Sequence, residues 1–325
     1  MNFRSMPLLV IALGVSLSGA SLSNTVQVHK GTAHDALYGL CESGSQQLAV
    51  GDAGLVLESQ DAGESWAKID AFTESALLDV SCRNDVSLVV GQEGAIYRRA
   101  FKDLKAVEGF TPIESNTDER LLSVSDVSAS GLAFAVGGFG TILRSTDSGL
   151  SWESVSMDWP AMTNDFFEPH LYDVHVSDSG IVTVVGEFEL IIQSLDQGDS
   201  WETVHLGEAS LFGLSLHANG TGFAVGQDGK IIKTANGGRA WEQVTTPSSG
   251  ILLNVWTSGS GDVLISGIRN TLQSSDNGES WSRIEQGALS SGWYQGLSIV
   301  GGDAQSRSAL LAGHGGNLIK LKLKK

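Results

Sequence analysis

The 325-residue chain contains only two cysteines, Cys41 and Cys82, and five prolines. Two thiols cannot build the multi-bridge framework of a small secreted domain, so packing has to hold this fold. Seven histidines (His29, His34, His170, His175, His205, His217 and His314) are scattered and form no zinc-ligand spacing with the cysteines. No metal and no cofactor are expected. Cations are also scarce: 20 Lys and Arg stand against 37 Asp and Glu, a net charge of −17. That field repels phosphate backbones and excludes nucleic acid as a partner. Apolar runs long enough to span a membrane are missing. The one candidate, residues 8–17, is about half the ~20 residues a spanning helix needs. With Arg4 before it and Ser18-Gly19-Ala20 after it, it reads as a secretory signal peptide cleaved near Ala20. The mature chain is therefore expected to be exported, to a periplasm, with residues 21–325 as one domain.

What the chain has in excess is glycine, 40 residues of it, arranged in repeats. The pattern Ser/Thr-x-Asp/Asn-x-Gly-x-Ser/Ala-Trp occurs five times. It is carried by Asp61, Gly63 and Trp66; Asp147, Gly149 and Trp152; Asp196, Gly198 and Trp201; Asn236, Gly238 and Trp241; and Asp276, Gly278 and Trp281. The Asp or Asn can accept backbone N–H bonds to close a turn, the Gly can take a positive φ, and the Trp can anchor the next strand. Upstream lies a second mark, Val-Gly-x-x-Gly, as in Val50 to Gly54, Val136 to Gly140 and Val225 to Gly229, and before each stands a short apolar strand. Seven units result, about 40–50 residues apart, with strand-like alternation and no long 3.6-residue period. In unit one the strands are expected at 37–41, 47–50, 55–59 and 66–69. The expected architecture is all-β and without helices, a seven-bladed propeller of four-stranded blades. Unit seven lacks its turn motif and fourth strand, and Thr25 to His29 is a strand without a unit. Pairing the two would close the ring.

Cys41 and Cys82 fall in the first strands of units one and two, offset by one position, so that Cys41 aligns with Ser81. Alternation then points the thiols to opposite faces, so two buried free thiols are expected ahead of the disulfide that an oxidising compartment permits.

The five Ser-x-Asp-x-Gly-x-Ser-Trp turns are Asp-boxes. Paired with Val-Gly-x-x-Gly at this spacing, they resemble the photosystem II stability/assembly factor family, which includes non-photosynthetic bacterial members with Asp-box (BNR) repeats. The resemblance covers residues 25–325. It implies an exported, non-enzymatic seven-bladed scaffold that binds a protein partner and helps assemble or stabilise a membrane complex of the envelope. The photosynthetic members carry an arginine-rich partner surface. Here there are ten Arg, and the one basic cluster, residues 98–105, occupies the place of a missing Asp-box, where it reads first as a solvated outer strand and second as a dock for an acidic partner or, peripherally, a membrane surface. A bacterial relative serving a different client fits better.

The alternative is a sialidase-like or other glycan-binding or glycan-hydrolysing propeller. Sialidases need three arginines around a carboxylate, a tyrosine nucleophile with a glutamate, and an aspartic acid. None of Tyr38, Tyr97, Tyr172 and Tyr294 stands in a motif that marks a nucleophile, so no catalytic residue is assigned.

Partner contacts are expected on the face carrying the Gly-x-x-Gly turns and the inter-blade links. The long link 157–170 is rich in aromatic and Met residues, which cost solubility unless they pack or bind. The residues expected to bind are Trp159, Phe166, Phe167, Glu168, Phe188, Arg269, Trp293 and Tyr294, with Trp159 and Phe166 equally able to fold back as a lid on the propeller. Glu189 and Asn270 replace glycines of the turn and are expected to point outward, while Phe139, Asp228 and His314 share the face. Lys320 and Lys322 are expected to point to water from the last strand.

Overall fold

A computed structural model of the protein describes residues 25–83, 85–100, 109–163, 167–301 and 307–323. The signal-peptide reading of residues 1–20, Phe166, and Lys102 and Lys105 of the basic cluster lie outside them. Seven four-stranded antiparallel sheets form the blades of a propeller. Blade 1 consists of Leu37–Ser43, Gln46–Gly51, Val56–Ser59 and Ala67–Lys68, paired in that order. The first strands of all seven blades line a central channel. The second strands are buried on both faces, and they read as near-continuous Val, Leu, Ala and Phe. Between neighbouring blades lies an apolar seam. Phe134, Val136, Leu171 and Val184 fill the one between blades 3 and 4.

The last blade closes the ring. Thr25–His29 pairs with Leu318–Lys322, with Thr25 opposite Leu321 and Gln27 opposite Ile319. Without it, the Leu318–Lys322 strand would be an open edge, a template for pairing with another chain. Deleting residues 25–29 is therefore expected to lower the melting temperature and cause concentration-dependent self-association in light scattering. A truncated chain that stays monomeric and equally stable would refute this account of closure.

Among the described residues the sequence pattern missed one α-helix. Trp159–Thr163 is helical in the link to blade 4, with the Asp158 carboxylate accepting the Ala161 N–H at 3.3 Å and Pro160 in the first turn, where its lost N–H costs nothing.

Cys41 and Cys82 are joined in a disulfide, their Cα atoms 5.5 Å apart, which corrects the expectation of free thiols. The one-position offset is what brings them together. The surfaces of adjacent blades that meet are opposite faces, so residues of opposite parity converge. Cys41 shares the seam with Leu48 and Val50, and Cys82 shares it with Val80 and Val89.

The repeated turns lock each blade to the one before. The Asp61 carboxylate accepts the N–H groups of Glu64 (3.1 Å) and Ser65 (2.9 Å) and the Ser65 hydroxyl, while Ser59 Oγ takes the Gly63 N–H at 2.9 Å. These bonds, the Ser65 hydroxyl first, hold the Asp61 pKa down at about 2; Asp196 and Asp276 behave alike, with Ser200 and Ser280 leading. A Cβ on Gly63, Gly149, Gly198 or Gly278 would strike Leu310, Leu88, Phe134 or Phe223 of the preceding blade, and φ there is between 77° and 94°. Trp66, Trp152, Trp201, Trp241 and Trp281 pack into or against the same seams.

A column of donors completes the lock. Lys320 Nζ, Arg98 Nε, Arg144 Nη1 and Gln193 Nε2 donate to the carbonyls of Ala62 (3.1 Å), Ser148 (2.8 Å), Gln197 (3.3 Å) and Gly237 (2.8 Å) of the next blade's turn. Arg98 and Lys320 are thus half-buried and tied to the next blade rather than pointing freely to water. Arg99 is fully buried, paired with Glu58 at 2.8 Å and stacked over Phe110.

Candidate partner-binding face

Each blade's second and third strands are joined by a turn whose third residue is left-handed. The seven residues are Ala53 (φ 49°), Glu93 (57°), Phe139 (49°), Phe188 (57°), Asp228 (55°), Arg269 (53°) and Gly315 (65°). They form a crown on the face that also carries the inter-blade links. In three blades the next residue must be glycine: a Cβ at Gly54, Gly94 or Gly229 would lie under 2 Å from a link carbonyl. Left-handed backbone costs a non-glycine residue about 1 kcal/mol or more, and a bulky one is an outlier.

Two adjacent crown positions carry phenylalanine. Phe139 and Phe188 are 57% and 46% exposed. The long link supports both. His170 packs edge-on to Phe139 at 4.9 Å and its Nδ1 accepts the Phe139 N–H at 3.2 Å. Phe167 packs against Phe188 at 4.8 Å. The Glu187 carboxylate accepts the His170 N–H at 2.9 Å, and Pro169 O accepts the Gly140 N–H at 2.8 Å.

Not every residue expected to bind lies on the surface. Trp159 is 5% exposed and packs over Gly140, where a Cβ would meet the indole; it pins the link from inside. Tyr294 is 1% exposed and is core. Trp293 is half-buried and stacks on Tyr38 with ring centroids 5.7 Å apart. Phe188, Glu168 and Arg269 are exposed, and Phe167 is half-buried. Glu189 and Asn270 point inward, contrary to expectation. The Glu189 carboxylate meets Lys230 at 3.0 Å and His205 at 3.1 Å, filling space that Gly207 leaves open. Asn270 donates to the Ser248 hydroxyl. Each replaces a glycine contact with a side-chain bond to the link.

Sequence reasoning also missed the channel. Its equivalent first-strand positions are Gly39, Asp79, Ser123, Asp173, Gly213, Asn254 and Gly296. Asp79 takes the N–H groups of Val80 (2.8 Å) and Val124 (2.9 Å). Asp173 takes those of Val174 (2.8 Å) and Leu214 (2.7 Å), and the Ser123 hydroxyl at 3.0 Å. Each polar side chain spans to the next blade. Burial pushes Asp79 up to about 6, and burial together with the nearby Asp79 charge pushes Asp173 up to about 7. The space beside them is ≈ 60 Å³, against roughly 300–1,000 Å³ for a ligand pocket, so this pair stitches blades together and has no room for a sugar. At the channel mouth on the opposite face, Arg83 is the one lining arginine among the described residues, and it pairs with Asp178 at 2.7 Å.

No protein-family model matches the chain, and no curated protein matches it in sequence. Solved structures do resemble it. YCF48 from Cyanidioschyzon merolae is 17% identical, covers 92% of this chain and 98% of its own, and superposes with a TM-score of 0.71. A structure of YCF48 bound to D1 peptide is 16% identical, covers 98% of this chain and all of its own, with a TM-score of 0.70. The GH74 xyloglucanase from Xanthomonas campestris is 14% identical over 91% of this chain and 53% of its own, at 0.71. At such identities the likeness is one of fold.

Proposed function

We propose that the protein is an exported, non-catalytic scaffold, similar to the assembly factors, that captures a protein partner in an envelope membrane complex on its crown-and-link face. The observation carrying this reading is the pair Phe139 and Phe188: large apolar side chains in left-handed backbone, exposed on adjacent blades and buttressed by one link. Strain and exposure both cost stability, and a partner covering the rings offsets them. The disulfide fits an oxidising compartment and so an exported chain. The tyrosines argue against sialidase-type chemistry. Burial pushes Tyr38, Tyr172 and Tyr294 up rather than down, and Tyr97 packs on Phe72. Glycan recognition is the second reading. It would use the channel mouth of ≈ 310 Å³ lined by Glu42, Arg83, Asp126 and His175.

Photo-crosslinkers at Glu168 and, on the opposite face, at Glu279 test the proposal in detergent-solubilised envelope. Adducts are expected from position 168 alone, and the substitutions Phe139→Gly and Phe188→Gly should remove them. Equal labelling from both faces, or retention on a glycan array without any adduct, sinks the scaffold reading.

A further inference from the structure

The chemistry around the two exposed rings narrows the partner. Leu206, itself 38% exposed, extends the apolar surface on the far side of Phe188: it lies in the link that follows blade 4, whose Gly207 N–H donates to Phe188 O at 2.7 Å and brings the link against that turn. Carboxylates surround the apolar centre. Glu187 flanks Phe188 in the turn, exposed Glu208 follows Leu206, and exposed Glu168 adjoins Phe167. Glu119 approaches Gly138 beside Phe139. Positive charge does not balance them. Lys230 is committed to Glu189, which leaves Arg120 as the exposed cation of the neighbouring link. An apolar centre whose rim carries four glutamates against the single exposed Arg120 favours an occupant of net positive charge, because like charge across an interface is penalised. A second copy of this chain, at −17, is the wrong partner, and so are phosphate-bearing polymers and lipid heads.

We propose that this patch binds an extended, cationic polypeptide segment in which Arg or Lys alternates with large apolar residues. The apolar side chains would cover Phe139, Phe188 and Leu206 while the cations pair with the four glutamates. The inference rests on the scaffold reading and adds the partner's chemistry to it.

The test uses the mature protein and three labelled, unstructured dodecapeptides: one alternating Arg and Leu, one with Glu for every Arg, and one with Ser for every Leu. Fluorescence anisotropy is expected to give the Arg–Leu peptide at least tenfold tighter binding than either control, with affinity falling as salt rises. The double variant Phe139→Gly/Phe188→Gly is expected to lose at least tenfold without a lower melting temperature, because glycine adopts the left-handed backbone freely. Phe139→Asn/Phe188→Asn, which also tolerates that backbone, should behave alike. Glu168→Lys/Glu208→Lys should lose the Arg–Leu peptide and gain the Glu–Leu one. Equal affinity for the Arg and Glu peptides, or full affinity in a folded glycine or asparagine pair, overturns the proposal. If envelope adducts at position 168 persist while the Arg–Leu peptide fails to bind, the cationic chemistry is wrong and the scaffold reading stands. If both fail, both are wrong.

Discussion

Reduction of the Cys41–Cys82 bond, or its replacement by two serines, is expected to destabilise the protein by up to about 4 kcal/mol. The bond closes a loop across a sequence separation of 41, and loop-closure entropy for that length gives this value. For a chain of this size the melting temperature should drop by on the order of 10 °C. The position adds to the effect. The bond ties the innermost strands of blades 1 and 2, so its loss loosens the seam filled by Leu48, Val50, Val80 and Val89. Calorimetry with and without a thiol reductant measures it directly. A drop below about 2 °C would mean that apolar packing alone fixes that seam. The same result bears on compartment, since a fold that leans on this bond is suited to an oxidising space.

The blade count, the closing strand and the placement of turns on two opposite faces are all legible in the sequence, because each is written in short-range pattern at a fixed period. Val-Gly-x-x-Gly marks every second-to-third-strand turn, including the altered ones at Glu187–Glu189 and Ile268 to Asn270. What stays hidden is what the ring brings together. Within one sheet, parity separates Cys41 from Cys82, whereas the seam between two sheets reverses that rule. Lys320 and Ala62 lie at opposite ends of the sequence and meet only because blade 7 precedes blade 1 in space. A signal for this lock is present: Arg144, Gln193 and Lys233 each stand one residue before the Ser or Thr of a box, with Arg98 and Lys320 in the same column. Exposure is the least readable property. Trp159 reads equally as a surface aromatic and as a lid, and Glu189 as a surface acid; a neighbouring glycine in each case, Gly140 and Gly207, makes the room that draws the side chain in. The glycine is in the sequence, and its partner is not.

Raising the pH from about 4.5 to 7.5 is expected to weaken the fold, the reverse of the usual acid sensitivity. Asp79 and Asp173 have pKa values of about 6 and about 7 when folded, against 3.8 normally. Between those limits the folded chain keeps protons that the unfolded chain has released, so stability falls as pH rises through the folded values. A tenfold difference in proton affinity between the two states is worth about 1.4 kcal/mol, which gives roughly 3 kcal/mol for Asp79 and roughly 4 for Asp173. Part of Asp173's rise comes from the Asp79 charge, so the two do not simply add. His175 opposes them. Burial pushes it down to about 4, so the folded state loses stability as pH drops from about 6.5 toward that value. One imidazole against two carboxylates leaves a net decline with rising pH of a few kcal/mol. Below pH 4 the trend reverses, because Asp61, Asp196 and Asp276, held at about 2 by the box hydroxyls, lose those bonds as they protonate. The maximum is therefore expected just above pH 4. Urea midpoints at pH 3, 4.5, 6 and 7.5 trace the curve, and Asp79→Asn/Asp173→Asn should remove most of the decline. The absolute midpoint of that variant is a poor test, since an amide nitrogen would face the Val124 and Leu214 N–H groups; the slope is the readout. A wild-type midpoint that is level or rises from pH 4.5 to 7.5 would show that the channel carboxylates ionise at ordinary pH, their four backbone N–H bonds having offset the cost of burial.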